Sequence, residues 1–333
     1  MNIIFKAPLI ALTIAISATN LHASQLRIAT DSGSRGSPVA LSMEKWGSLI
    51  TEATAGTSNE IKVDIFYQDE LGGQQEIYDL HIAGEVDMMI TWPQTSYDTR
   101  MGLRNVPYMF VDWEQAFEAY APNGWLNDLY NEVHNDLGLK FFGAYPEGFS
   151  GVATRGRYAR NIADARGLKI RVPANFPNPQ TLQAMGYSSE SIAWGEVYTS
   201  LQTGVVDGDG GNVIYWDYEY FRDVLDYYVR TRQTFVTGVL SMNLASWDKL
   251  NEEQQQIVSD AAFKVSQQQF TEARERDNFY VEKAIEAGME YIELSEDEIK
   301  ELATATRERV WPLLEREFSK ELVEQIRNNA VTF

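Results

Sequence analysis

The residues with the clearest chemical use lie between Gly167 and Asn212, and the first of them is Arg171. The run Leu168-Lys169-Ile170-Arg171-Val172-Pro173 alternates apolar and cationic residues, so Leu168, Ile170 and Val172 share one face of a predicted strand. Pro173 cannot continue a ladder, which leaves Arg171 held near the point where the chain must leave the sheet. A guanidinium fixed there offers a planar fork of donors suited to a carboxylate. The plainer use of the same residue is an internal ion pair with one of the 48 acidic residues. A helix is predicted from Glu196 to Gln202, stopped by Gly204, followed by a strand Val205-Val206-Asp207 and a glycine-rich turn over Gly208–Gly211. Strand, helix and strand ending in polar groups is how an α/β domain builds a ligand rim.

Other chemistries lack their parts. There is no cysteine, which removes disulfides, thiol nucleophiles and zinc–thiolate sites. Beyond residue 23 the histidines are His81 and His134, each on a predicted helix with no nucleophile near it in sequence. No G-x-S-x-G elbow, H-E-x-x-H pair or phosphate-binding P-loop occurs. The run Asp207-Gly-Asp209-Gly-Gly-Asn212 looks superficially like a calcium loop, but it lacks a third carboxylate and the glutamate at the twelfth position. No metal and no cofactor are therefore expected.

The elements that must position these groups read as repeated β-α-β. Leu26–Thr30 is a predicted strand ending at Asp31. Ser37-Pro38 is an N-cap with proline at the first helical position, and Leu41, Met43, Trp46, Leu49 and Ile50 make the apolar face that follows. Strands are predicted at Ile61–Tyr67 and Val86–Thr91, with a helix between them closed by Gly84. Trp92 stands just beyond the second of these, where open α/β sheets bind ligands. Leu139–Tyr145 is a strand leading to a crossing between domains at Pro146–Gly148, with Phe149 beside it. Phe235–Leu244 is the return crossing. The aromatic run from Tyr215 begins just past the glycine-rich turn, which makes Tyr215 a candidate cleft residue. Asn251 and Gln254 form a capping box at the head of a helix predicted to run to Ala287, ~55 Å long and more than one small domain's width. Ser295 and Glu298 cap the last long helix.

Length and charge bound the answer. Lys6, the apolar run Pro8–Ala18 and the Leu21-His22-Ala23 cleavage pattern read as a removable export segment, 1–23. The remainder is long enough for about two domains. It holds 27 basic against 48 acidic residues, a formal charge of −21. Such a chain repels nucleic acid and anionic lipid, so an anion site has to be made locally by placed arginines.

Three pieces carry a resemblance: Gly167–Pro173 (GLKIRVP), Glu196–Gly204 (EVYTSLQTG) and Val205–Gly208 (VVDG). In that order and spacing they resemble the solute-binding proteins of TRAP transporters, the tripartite ATP-independent periplasmic systems. Leu71–Gly73, Gly84–Asp87 and Leu250–Gln254 sit where that family has similar pieces, so the likeness covers nearly all of the chain after residue 23. It implies an α/β fold: a two-domain periplasmic binding-protein clamshell with hinge strands and a long helix spanning both domains. The domains would be 25–148 plus 237–276 and 149–236 plus 277–333. It implies a monomeric periplasmic receptor that closes on a small organic anion and docks on the TRAP membrane permease. Arg171 falls on the family's carboxylate-gripping arginine, and Asp31, Trp92, Asn175 and Trp194 fall on positions that commonly touch ligand. Asn212, Phe149 and Tyr215 complete the candidate set.

Two departures stand out. Many members carry a second arginine about twenty residues before the first, where this chain has Gly151; Arg155 and Arg157 are nearby. The family's usual Gln-Glu-Asn after VDG is replaced by Asp209-Gly210-Gly211, with Asn212 one place later. Loss of the second arginine favours a monocarboxylate with an apolar or ring-bearing body. The rival readings are an exported α/β enzyme using paired carboxylates, and a receptor serving an ATP-driven importer or a sensor.

Overall fold

The computed structural model describes residues 24–332, so the export segment predicted at 1–23 lies outside the described residues. Among the described residues, eleven strands form two sheets. The first contains β1 (Ser24–Thr30), β2 (Ile61–Phe66), β3 (Met88–Thr91), β4 (Leu139–Phe149) and β10 (Phe235–Asn243), in the order β2-β1-β3-β10-β4. β1 pairs parallel to β2 and β3, whereas β10 runs antiparallel to β3 and β4. The second contains β5 (Val152–Thr154), β6 (Lys169–Val172), β7 (Ser188–Ser191), β8 (Gly208–Gly210), β9 (Tyr227–Arg230) and β11 (Glu290–Glu293), in the order β11-β9-β5-β8-β6-β7.

Local sequence explains most boundaries. Ser37 accepts the Ala40 N–H at the head of the helix Pro38–Thr54, whose Val39, Met43, Trp46 and Ile50 are buried on the first sheet. The capping boxes at Asn251 and Ser295 both form and start the helices Glu252–Glu286 and Glu296–Glu317. Gly204 ends the helix Val197–Thr203 at φ 75°, a left-handed conformation that a Cβ would strain.

One element departs from the sequence expectation. The strand after Gly204 is Gly208–Gly210, not Val205–Asp207, and Val205 is exposed. The glycines that read as a turn are strand residues in a crowded sheet. A Cβ on Gly208 would lie 2.2 Å from the Ala153 carbonyl oxygen, and one on Gly210 would lie 2.9 Å from Ile170 Cγ2. Only glycine lets β8 sit between β5 and β6 at that distance.

Two strands carry the chain between the sheets. β4 and β10 pair along their length, and at their end Ser150 and Thr234 tie the crossings together, with the Ser150 N–H donating to the Thr234 oxygen at 3.0 Å. The 35-residue helix Glu252–Glu286 packs against β4 and against the helix Ile214–Phe221 of the second lobe, so it passes both sheets. β4 leaves the first sheet at Phe149, β5 opens the second at Val152, and β10 re-enters the first at Phe235. The final segment crosses back, because Val310, Trp311, Leu314, Phe318 and Leu322 pack in one core with Met101, Tyr120 and Phe141 of the first lobe.

Candidate functional site

The register of the second sheet builds the first contact of the site. β6 and β8 are parallel with Arg171 beside Asp209, and the Arg171 Nη1 lies 3.2 Å from Asp209 Oδ1, both side chains being buried. The Arg171 Nε donates to the Ile192 carbonyl at 2.9 Å, and its guanidinium carbon stands 5.6 Å from the centre of the Trp194 ring. Both uses foreseen for Arg171 therefore coexist. Two of its five donors are spent inside the protein, while the residue also lines the cleft between the sheets.

Asp209 is not alone. The Asn212 amide donates to Asp209 and, at 3.3 Å, to Asp217 Oδ1. Burial, and then the neighbouring Asp209 charge, push Asp217 well above the carboxylate range; burial raises Asp209 too, and the Arg171 guanidinium opposes that rise. Asp207 is likewise engaged, accepting the Lys169 N–H at 2.9 Å. The carboxylates of the calcium-like run thus already have protein partners, and no metal-holding group of His, Asp and Glu occurs among the described residues.

Trp92, Trp194, Asn175 and Asn212 join Arg171 in the lining of the inner cleft, and Asp31 lines its mouth. Trp216 stands between the tryptophans, 5.8 Å from Trp92 and 5.6 Å from Trp194, edge-on to each. The Trp216 Nε1 donates to Glu147 at 3.1–3.2 Å, joining the second lobe to the crossing strand. Asn175 Oδ1 accepts from Thr95 of the first lobe, at 3.4 Å from its N–H and 3.3 Å from its hydroxyl.

Two candidates fall elsewhere. Phe149 is not in the lining; it packs edge-on against Trp113 at 5.8 Å and Phe235 at 5.1 Å, in the core of the first lobe. β4 shifts register against β10 around Glu147, so Phe149 does not share the cleft-lining side of that residue. Tyr215 borders a neighbouring hollow with Ser34 and Arg35, and its ring lies 4.8 Å from that of Tyr280.

The question of a second arginine has a structural answer. A Cβ at Gly151 would lie 2.4 Å from Cζ of the buried Tyr228 ring, whose hydroxyl donates to the Asn212 oxygen, so no side chain fits there. Arg155 donates to the Leu201 carbonyl, and Arg157 to those of Asp164 and Arg166; neither lines the cleft. Arg104 does. It follows from the 3₁₀ segment Thr99–Asn105 of the first lobe, together with Asn105. Sequence reasoning missed it, although a lone cation inside Met101-Gly-Leu-Arg-Asn-Val-Pro-Tyr-Met-Phe110 was a usable signal.

Burial raises two cleft carboxyls to about 7: Asp31, which accepts the Thr91 hydroxyl at 2.9 Å, and Glu147. An acid whose pKa rises on folding contributes stability that is complete below its unfolded value and is lost as pH climbs through the folded one. His81 and His134, lowered by burial to about 4, work oppositely, their contribution being present above 6.5 and lost toward 4. The two effects offset below pH 6.5. Between pH 6.5 and 8 the histidines no longer compensate, and Asp31 and Glu147 together should remove about 1–2 kcal/mol, a few degrees in melting temperature, beside the loss that the buried Asp217 adds in the same direction. Melting curves of the Asp31→Asn, Glu147→Gln double variant should be flatter across that window; an unchanged slope would refute the assignment.

The geometry is matched by known proteins. The family model described as "Bacterial extracellular solute-binding protein, family 7" covers residues 29–317. The protein YiiZ of Salmonella typhimurium is 30% identical over 231 residues, 69% of each chain. The 2,3-diketo-L-gulonate-binding periplasmic protein YiaO of Escherichia coli is 25% identical over 281 residues, 84% of each. A TRAP periplasmic solute-binding protein from Sulfitobacter sp. NAS-14.1, solved with bound β-D-galacturonate, superposes with a TM-score of 0.82 at 24% identity. That match spans 92% of this chain and 100% of the other, and shows a common two-lobed fold. The chain belongs to family 7 of the bacterial extracellular solute-binding proteins, the DctP family that supplies the receptors of TRAP transporters.

Proposed function

We propose that this protein is a periplasmic receptor that captures a small organic acid between its lobes and delivers it to the membrane subunits of a TRAP transporter. It would be exported through a cleaved segment, act as a monomer and carry out no chemistry of its own. The observation that carries the reading is Arg171: a buried guanidinium at a strand end, anchored by Ile192 and Asp209, with three donors left for the cleft. A carboxylate received end-on by that fork would lie among Asn175, Asn212 and Trp194. The amides suit hydroxyl groups, and the tryptophans suit the apolar face of a ring or chain. Relatives named for a keto-gulonate or solved with a hexuronate support a hydroxylated acid.

Closure follows from contacts made only when the lobes meet. The Ser34 N–H of the first lobe donates to the Tyr220 hydroxyl of the second at 3.2 Å, and Trp92 meets Trp216. A ligand that touches both lobes favours this closed arrangement by its differential affinity for it. Asp31 and Glu147 are raised-pKa carboxyls in a cleft, the pattern an acid–base enzyme also uses. The family and the tying of both groups to neighbours favour binding without turnover.

The test is a melting screen of ligand-free protein against several hundred metabolites. A ligand at a hundred times its dissociation constant adds about 2.7 kcal/mol, a clear rise in melting temperature. Carboxylates alone should produce it, and they should be recovered unchanged. Shifts by sugars or cations only, or conversion of the ligand, would overturn the reading.

A further inference from the structure

We propose that Arg104 is a second anion anchor, placed on the lobe opposite Arg171, and that the natural ligand carries an acidic group at each end. This rests on the receptor reading above and adds the residue that measures the far end of the ligand.

The argument begins with burial. Arg104 is 8% exposed, lines the inner cleft, and makes no ion pair within 4 Å among the described residues. Its Nε is buried without a hydrogen-bond partner. Every other deeply buried arginine has an answer inside the protein: Arg171 meets Asp209, and Arg230 meets Asp277 at 2.7 and 3.0 Å. A guanidinium taken from water needs a counter-ion; the buried Tyr130 and Tyr120 hydroxyls face Arg104 but carry no charge, which leaves the cleft to supply the anion.

The two arginines also differ in residual charge. Asp209 already offsets Arg171, whereas the carboxylates that act on Arg104, Asp31 and Glu147, do so from beyond ion-pair distance. Burial raises both to about 7, so each is only partly charged near that pH and part of the positive potential around Arg104 is left uncancelled. Asn105 beside it donates to the Phe176 carbonyl of the second lobe at 3.5 Å, so the Arg104 segment meets the loop that follows Arg171 when the lobes are together. A ligand held at both ends would bridge the lobes directly. This replaces the monocarboxylate expected from the loss of an arginine at position 151: the second guanidinium comes from the other lobe.

The experiment is calorimetric titration with matched sugar acids of four to six carbons, each aldonic acid against its aldaric counterpart, which differ only in a terminal hydroxymethyl or carboxylate. Wild-type protein should bind at least one diacid about 10- to 100-fold more tightly than its partner. Arg104→Gln should collapse that ratio below threefold, and Arg104→Lys, which keeps the charge but not the fork, should retain part of it. If monoacids bind and their diacids bind no more tightly, or if Arg104→Gln leaves the ratio intact, the second anchor is wrong and the receptor reading stands. If no acid binds folded wild-type protein, the receptor reading itself falls. Should neither variant fold, the wild-type ratio decides alone.

Discussion

Arg171→Gln combined with Asp209→Asn is expected to give a folded protein that has lost ligand binding by about 10²–10³-fold, whereas Arg171→Ala alone should also lose about 3–5 kcal/mol of stability. The difference comes from what each change leaves behind. Arg171 and Asp209 are 2% and 0% exposed and face each other across adjacent strands. Removing the cation alone strands a carboxylate beside Asp217, and Asp209 can escape only by taking a proton. The penalty should therefore shrink as pH falls toward 5, because protonation then costs less. The paired substitution removes both charges at once and keeps side chains of similar shape. Denaturant melts measured at pH 5 and pH 8, beside calorimetry with the best ligand, separate the two roles. Unchanged affinity in the folded double variant would show that the carboxylate is held elsewhere; a single variant as stable as wild type would show that Asp209 does not depend on Arg171.

Much of this arrangement was legible in the residues because it rests on local rules. Ser37, Asn251 and Ser295 announced three helices through their caps, and the apolar alternation around Arg171 marked its strand. Trp92 could be placed because it stands just past a strand end, where α/β sheets collect ligands, and Asn175 through the family resemblance alone. What failed did so where glycine has two meanings. Gly208–Gly211 suits a turn by composition, but the crowding of β5, β6 and Leu182 that makes it a strand is a tertiary fact. That slip hid the Arg171–Asp209 pairing, which needs β8 in register with β6. Phe149 missed the cleft for a related reason: β4 and β10 shift register around Glu147, an irregularity that breaks the alternation linking residues two apart. Arg104 stayed hidden because its segment is a 3₁₀ stretch with neither helical nor strand periodicity. Only the positions of both lobes show that it faces a cleft.

Asp277→Ala should be the most damaging substitution outside the cleft, costing about 3–5 kcal/mol and roughly 10 °C in melting temperature. Asp277 sits on the long helix as it passes from one lobe to the other, and its two oxygens take the Arg230 fork at 2.7 and 3.0 Å. Arg230 ends β9, just before the chain crosses back to the first sheet, and its guanidinium carbon also lies 5.9 and 5.7 Å from the Tyr228 and Tyr291 ring centres. The pair thus ties three things at one place: the helix, the second sheet and the base of the crossing strands, where a Cβ on Gly148 would stand 3.5 Å from Asp277 Oδ1. Truncating the aspartate leaves a buried guanidinium without its carboxylate. Replacing both partners together, Arg230→Met with Asp277→Leu, should restore most of the lost melting temperature, since an apolar pair of similar volume escapes the desolvation cost. Closure is the sharper readout. If the pair sets the angle at which the helix crosses the hinge, the apolar double variant should melt normally yet bind ligand several-fold more weakly, because the closed arrangement is no longer specified by a directional contact. A double variant with wild-type affinity would reduce the pair to packing, and an Asp277→Ala protein melting within 2 °C of wild type, roughly 1 kcal/mol or less, would show that Arg230 finds solvent when its partner is gone.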